Sequence, residues 1–477
     1  MATIAAACLL AACSGGGGGS SGPTAGIDGT GSQVIAMGTV SGFGSVIVNG
    51  VRYETTGTRF TIDGAPGTQA DLSVGDVVVV KGELDADDFS AGTADSIDFD
   101  DAVEGPIASI DTVTGTLVVL GQTVAISADT SFDDSIATRS LAGLSVGDLV
   151  EVSGFPASDG SIRATRIELK PAGGQFEVTG RVAMLDNTGS QFSINSLRVD
   201  FAAAMLEDFP SGMISEGDLV EVHGSAPAGP GTLVATRVEF KGDDTSGAAG
   251  DRVELEGFIT RFVSAADFDV SGLPVSTAAG TAFEGGSAAD LGLDIKLEVE
   301  GTLSAAGVLV ATKVDIRRSR AVRVVALVDS VDAANDAFVV LGITVKVDRL
   351  TRFEDKSAQD LQPFSLSDLA AGDYVEVRGL EFPAGSGEML AGILEREDPD
   401  AGSELQGFVT SIAEPAFTIL GVTISTGSGT DFRDENDAAI GSGAFFAALS
   451  AGRLVKASGV EVADRSLDAD EVEFEVE

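Results

Sequence analysis

Short stretches of alternating apolar and polar residues return along the chain in one recognisable phrase. Leu72–Gly82 reads L-S-V-G-D-V-V-V-V-K-G, Leu144–Gly154 reads L-S-V-G-D-L-V-E-V-S-G, and Ile214–Gly224 reads I-S-E-G-D-L-V-E-V-H-G. Looser copies lie at Leu291–Gly301, Leu369–Gly379 and Leu449–Gly459. Within the phrase the period is two: Val150 and Val152 face one way and Glu151 the other, and Val220, Glu221 and Val222 repeat this. The Gly-Asp before each such strand is turn chemistry, with Gly supplying a positive φ and Asp binding a nearby backbone amide. Recurrence at steps of roughly 70–80 residues marks an array of small modules rather than one large enzyme fold.

The segments around the phrase complete a module. An opening strand carries an early Gly, as in Gly38-Thr39-Val40, Gly105-Pro106-Ile107 and Gly257-Phe258-Ile259. A hairpin follows around a central Gly, clearest at Leu117–Ile126, Phe338–Val347 and Phe417–Ser425. A Thr-x-Phe signal comes next in every copy but the third, with Phe60, Phe132, Phe283, Phe353 and Phe432 expected as core anchors. Connections such as Ile136–Leu144 and Lys356–Leu369 have the length for one short helix. A last strand, Ala164–Lys170 or Ala235–Lys241, closes the unit. Five strands with a small helix before the fourth predict an all-β chain: a tandem array of about six small five-stranded OB-like barrels, each with one short helix. The expected division is residues 34–101, 102–171, 175–242, 252–318, 321–398 and 403–477, preceded by a leader (1–13) and a tether (14–33). Loss of the Gly-Asp in copies four (Gly292-Leu293-Asp294) and six (Gly452-Arg453) marks the phrase as structural.

The pattern resembles tandem β-barrel repeats of unknown function found in Gram-negative lipoproteins. The N-terminus resembles the same class. Met1–Cys13 is a short apolar run, too short to span a bilayer as a helix. Its end, Leu10-Ala11-Ala12-Cys13, resembles the lipobox of bacterial lipoprotein signal peptides, which implies acylation of Cys13. No Lys or Arg precedes Arg52, a departure from the basic start of such signals. Ser14 through Ser21 is all Gly and Ser, the composition of a flexible tether. The resemblance implies a protein lipid-anchored in the outer membrane, facing periplasm or cell exterior; Ser14 after the Cys favours that membrane.

Composition narrows the partners. Seventy-four Asp and Glu against 29 Lys and Arg give a formal charge of −45, which repels nucleic acid. The 25 Phe, 2 Tyr and no Trp fill cores without offering a wet stacking platform. The expectation is therefore no nucleic-acid partner, a membrane contact through the N-terminal lipid, and a protein or envelope partner. Only two cysteines are present, Cys8 leaving with the signal and Cys13 carrying lipid, so no thiol remains for disulfide, metal or catalysis.

Candidate chemistry is sparse. His223, the only histidine, occupies the slot held by Lys81, Ser153, Glu300, Arg378 and Ser458. A slot that accepts every polar type reads as a solvent-facing strand position. No catalytic residue and no cofactor is predicted. Acid clusters at Asp98–Asp101, Asp243-Asp244 and Asp431–Asp437 could supply the oxygens of a weak calcium site, with Asp431, Asp434 and Asp437 the named candidates. At roughly 30 Å per module an extended array would reach about 170 Å, with Gly242–Asp251 its expected hinge. The function these expectations point to is a non-enzymatic lipid-anchored stalk or interaction scaffold. The alternative is a binding module for a divalent cation or small ligand in acidic loops or barrel mouths.

Overall fold

The computed structural model describes residues 32–475 apart from 86–87, 113, 172, 174–175, 230, 243–246, 318–320, 401 and 436–437. The leader, Cys13 and most of the tether lie outside the described residues, as do Asp243, Asp244 and Asp437.

Module two shows the plan. Its strands are Val103–Asp111, Thr116–Val119, Gln122–Ala125, Leu149–Pro156 and Ile162–Leu169. The first pairs antiparallel with the second, the second with the third, and the third runs parallel to the last. The last pairs with the fourth and the fourth returns to the first, closing a five-strand circuit in the OB order. The same circuit closes in the other modules, in module three through an opening strand interrupted at Val182. Each circuit removes its own sheet edges.

Recurrent residues have recurrent work. In the Gly-Asp turns, Gly75, Gly147, Gly217 and Gly372 have φ of 103°, 96°, 89° and 92°. The Oδ2 atoms of Asp76, Asp148, Asp218 and Asp373 accept from the amides of Ser73, Ser145, Ser215 and Ala370 at 2.7–2.8 Å. The Phe of each Thr-x-Phe packs against its barrel core. Its Thr does as much: Thr58, Thr130, Thr281, Thr351 and Thr430 donate to the carbonyls of Ala94, Ala164, Ala311, Ala391 and Ala469 on the last strand. Module three lacks that clasp; Phe209 fills the core there, against Phe240. The final Gly of the phrase sits at a β-bulge facing the last strand, in all six copies.

The expected helix before the fourth strand is confined to module six, where Ser442–Ala448 brings Phe445 into the core. Elsewhere no α-helix forms there: module two has two 3₁₀ turns (Ala137–Arg139 and Leu141–Gly143), module three has none, and modules one, four and five have a single turn, at Gln69–Asp71, Ala288–Asp290 and Leu366–Asp368. Ser-x-x-Asp and Thr-x-x-Asp capping boxes hold these turns, and the polar connection supplies too few apolar positions to extend them. No helix among the described residues is long and apolar enough to cross a membrane.

The larger correction concerns how the modules sit together. They form three fused pairs, and only two of the pairs are neighbours in sequence. Modules two and three join through Val103–Glu104 and Glu177–Val178, antiparallel. Modules five and six join through Arg323–Val325 and Glu404–Gln406. Module one passes over both intervening modules to pair with module four, Val34–Met37 running parallel to Arg252–Leu255. The cores follow: modules two and three share one apolar cluster, as do five and six, and Ile35 of module one packs into the core of module four.

The pairs are then bound to one another. Val77 N–H donates to Ser153 Oγ at 2.8 Å between modules one and two. Ser158 donates to Asp294, and Phe155 meets Phe258, between two and four. Arg349 donates to the Asn49 carbonyl at 2.7 Å between five and one. The extended 170 Å row is therefore replaced by a packed body. Its expected hinge at Gly242–Asp251 is tied down at its described end, where Gly250 N–H donates to the Leu303 carbonyl at 2.8 Å.

Candidate functional site

The most unusual chemistry lies where modules one, two and three meet, and fusion of the pairs creates it. Across the joined sheet, Glu151 lies beside Glu104, Glu104 beside Glu177, and Glu177 beside His223. All four point outward from their own barrels, as the alternation requires. In the joined sheet they line up on one face, and module one covers that face with Asp63, Asp100 and Asp101. His223 is only 4% exposed, so the solvent-facing expectation for it fails. Outward from a barrel is not outward from the protein.

His223 bridges two acids. Its Nδ1 lies 2.9 Å from Glu177 Oε2 and its Nε2 lies 3.3 Å from Glu221 Oε2. Arg237 reaches the same Nε2 edge. Burial opposes charge on the ring, but the two carboxylates outweigh it and raise the imidazole to about 9. Burial also acts on both acids. Glu221 has Lys241 as a second cation at 3.0 Å and is held below the usual carboxylate range. Glu177 has only His223, and burial pushes it up to about 9.

The remaining acids are less well served. Burial, with the Glu151 charge behind it, pushes Asp63 up to about 7. Asp101, 1% exposed, is driven far above its ordinary value by burial and then by Glu151 and Asp63. Neither Asp101 carboxylate oxygen has a hydrogen-bond partner. Lys170 contacts Glu151 and Glu168, and Lys241 lies 2.9 Å from Asp100. Seven carboxylates (Asp63, Asp100, Asp101, Glu104, Glu151, Glu177 and Glu221) thus face two lysines, one histidine and the edge of one arginine. A cavity of about 650 Å³ lined by Asp63, Glu104, Lys170, Glu177, His223 and Arg237 opens onto them.

Of the sequence-predicted acids, the Asp98–Asp101 run supplies Asp100 and Asp101 to this junction. Asp431 is exposed, and Asp434 accepts from the Ala438 amide at 3.0 Å. Among the described residues the groups of acids close enough to share an ion lie at the junction, not at Asp431 and Asp434. Glu104, Glu151, Glu177 and Asp63 were missed. The available signal was an acid flanked by apolar residues on an opening strand, in V-E-G at Val103–Gly105 and F-E-V at Phe176–Val178.

A domain family described as "Domain of unknown function (DUF5666)" matches six stretches, 36–97, 104–168, 179–239, 256–315, 326–391 and 406–473. The chain belongs to the DUF5666 family. No curated protein matches it. Among solved structures it is similar to one described as "drosophila Unr CSD456", at 15% identity over 46% of this chain and 98% of that one, with a TM-score of 0.12. A likeness at that score carries no argument.

The DUF5666 copies differ most usefully at the slot of His223. Ser153 accepts from module one at this slot, and His223 ties together the acids of module three. Arg378 Nη1 donates to the Thr130 carbonyl of module two at 2.8 Å, while its other nitrogens hold Glu376 and Glu395, each at 2.6 Å. At Ser153 and Arg378 the slot therefore meets a neighbouring module, at His223 it meets the acids of its own, and at Lys81 it is exposed.

Proposed function

We propose that the chain is a non-enzymatic scaffold, held at the outer membrane by lipid on Cys13, that offers one acidic body to an envelope or external partner. The observation behind this reading is the parallel pairing of module one with module four. It ties the start of the array to its middle and leaves six DUF5666 copies acting as a unit. Ion pairs also join one barrel to another, such as Lys241 of module three with Asp100 of module one at 2.9 Å. A formal charge of −45 on such a body selects basic partners and disfavours nucleic acid.

Membrane fractionation of cells carrying Cys13→Ala tests the anchor: the variant should move to the soluble fraction. Retention in the membrane pellet would contradict anchoring by that residue. Crosslinking of the intact protein in cells tests the scaffold reading, which expects one recurrent envelope partner; turnover of a small substrate by the purified chain would contradict it.

A further inference from the structure

We propose that the junction of modules one, two and three is a calcium site, with Asp101 at its centre, Asp63 and Glu177 on one side and Glu104 and Glu151 on the other. The first reason is Asp101 itself. A carboxylate sealed from solvent with both oxygens unpartnered is costly unless something satisfies it. Glu177 adds a second buried oxygen, Oε1, without a partner.

The second reason is spacing. One carboxylate oxygen each from Asp63, Asp101 and Glu177 lie within 4.8 Å of one another, and so do oxygens of Asp101, Glu104 and Glu151. Calcium binds oxygen at about 2.4 Å, so two oxygens on opposite sides of one ion stand about 4.8 Å apart. Both triads share Asp101, which places that side chain at the ion.

The third reason is that the neighbouring cations pair with other acids and, among the described residues, none pairs with Asp101. Lys170 sits on Glu151 and Glu168, Lys241 on Asp100 and Glu221, and both His223 nitrogens face acids. The contrast with module five is direct: buried Glu395 there has Lys356 at 2.9 Å and Arg378 at 2.6 Å. Asp101 has no such companion.

The donor set chooses the metal. It is all carboxylate, which suits a hard cation that tolerates irregular, many-oxygen coordination, and it lacks the thiolate or free imidazole that zinc prefers. The cavity lined by Asp63, Glu104 and Glu177 supplies the way in.

The test is calorimetry and thermal unfolding of the full chain in detergent, stripped with chelator and returned to calcium chloride at pH 7.5. Millimolar calcium should raise the melting temperature by at least about 2 °C. Asp101→Asn should melt at or above the metal-free wild type, because a buried charge is gone, yet show no calcium response. Asp63→Asn, at a half-buried position, should weaken binding at least tenfold, and Asp431→Asn should respond as wild type. No binding heat and no melting shift in the wild type would overturn the site, as would an undiminished response in Asp101→Asn or Asp63→Asn.

Discussion

Replacing Arg378 by Met tests whether the barrels are locked together through buried charge. The guanidinium is 8% exposed and holds Glu376 and Glu395 at 2.6 Å each. It also donates to the carbonyls of Thr130 and Ala128 in module two, at 2.8 and 3.3 Å. Met keeps most of the volume but none of the donors. Glu395 would retain Lys356 and Glu376 would retain Arg323, so neither acid is left without a cation. The two carbonyls of module two lose a donor while staying buried against module five. Breaking one side of a buried pair costs about 3–5 kcal/mol, and the retained cations place this case near the lower end, about 3 kcal/mol. Arg261 provides the control. It makes bonds of 2.6–2.8 Å to Asp267 and Asp269, but its side chain is 45% exposed, where water and salt screen such pairs. Urea unfolding followed by circular dichroism, which suits a chain without Trp, should show the loss of about 3 kcal/mol in Arg378→Met and a clearly smaller one in Arg261→Met. Equal small losses in the two variants would refute the buried lock between modules two and five.

Burial, helped by Glu300 and Glu298, raises Glu254 from 4.5 to about 7 although Arg252 opposes it. Its neutral form is favoured by folding, so this stabilisation is complete below pH 4.5 and is lost as pH rises through about 7, a change of about 3 kcal/mol. Glu254→Gln should therefore be more stable than wild type at pH 8 and show that much less pH dependence between pH 5 and 8 in thermal melts; an unchanged slope would count against it. At the bulge glycine of module five, a Cβ on Gly379 would collide with the Leu390 carbonyl oxygen, whereas one on Gly443 in the short helix meets nothing within 4 Å. Gly379→Ala should cost about 2–4 kcal/mol and Gly443→Ala should be neutral or stabilising by up to about 1 kcal/mol, measured by the same urea melts.

What could be read in the sequence was whatever a single module determines. Asp148 and its relatives announce a turn because Gly-Asp before V-E-V has few other uses, and the Phe of Thr-x-Phe announces a core. The Thr clasp on the last-strand alanine and the bulge at the final Gly recur just as faithfully. Their reasons lie across the barrel, in Ala164 or Leu390, far along the chain. The missing helices have a local cause: a capped Ser-x-x-Asp turn satisfies its own amides and needs no second turn. The junction was hidden for a different reason. Period-two alternation tells which way Glu104, Glu177 and His223 point from their own barrels, and nothing in it tells whether another barrel stands there. Module one docks on module four through Val34–Met37, an apolar run that reads equally well as an ordinary opening strand.

Small-angle scattering of residues 32–475 tests the central claim, that six DUF5666 barrels form one packed body. A compact chain of this length should have a radius of gyration of about 22 Å, against about 50 Å for a 170 Å row of modules. A value in the low twenties with a bell-shaped Kratky profile is expected. A value near 50 Å would mean that the first and fourth modules do not pair, and the buried acids at the junction would then face water.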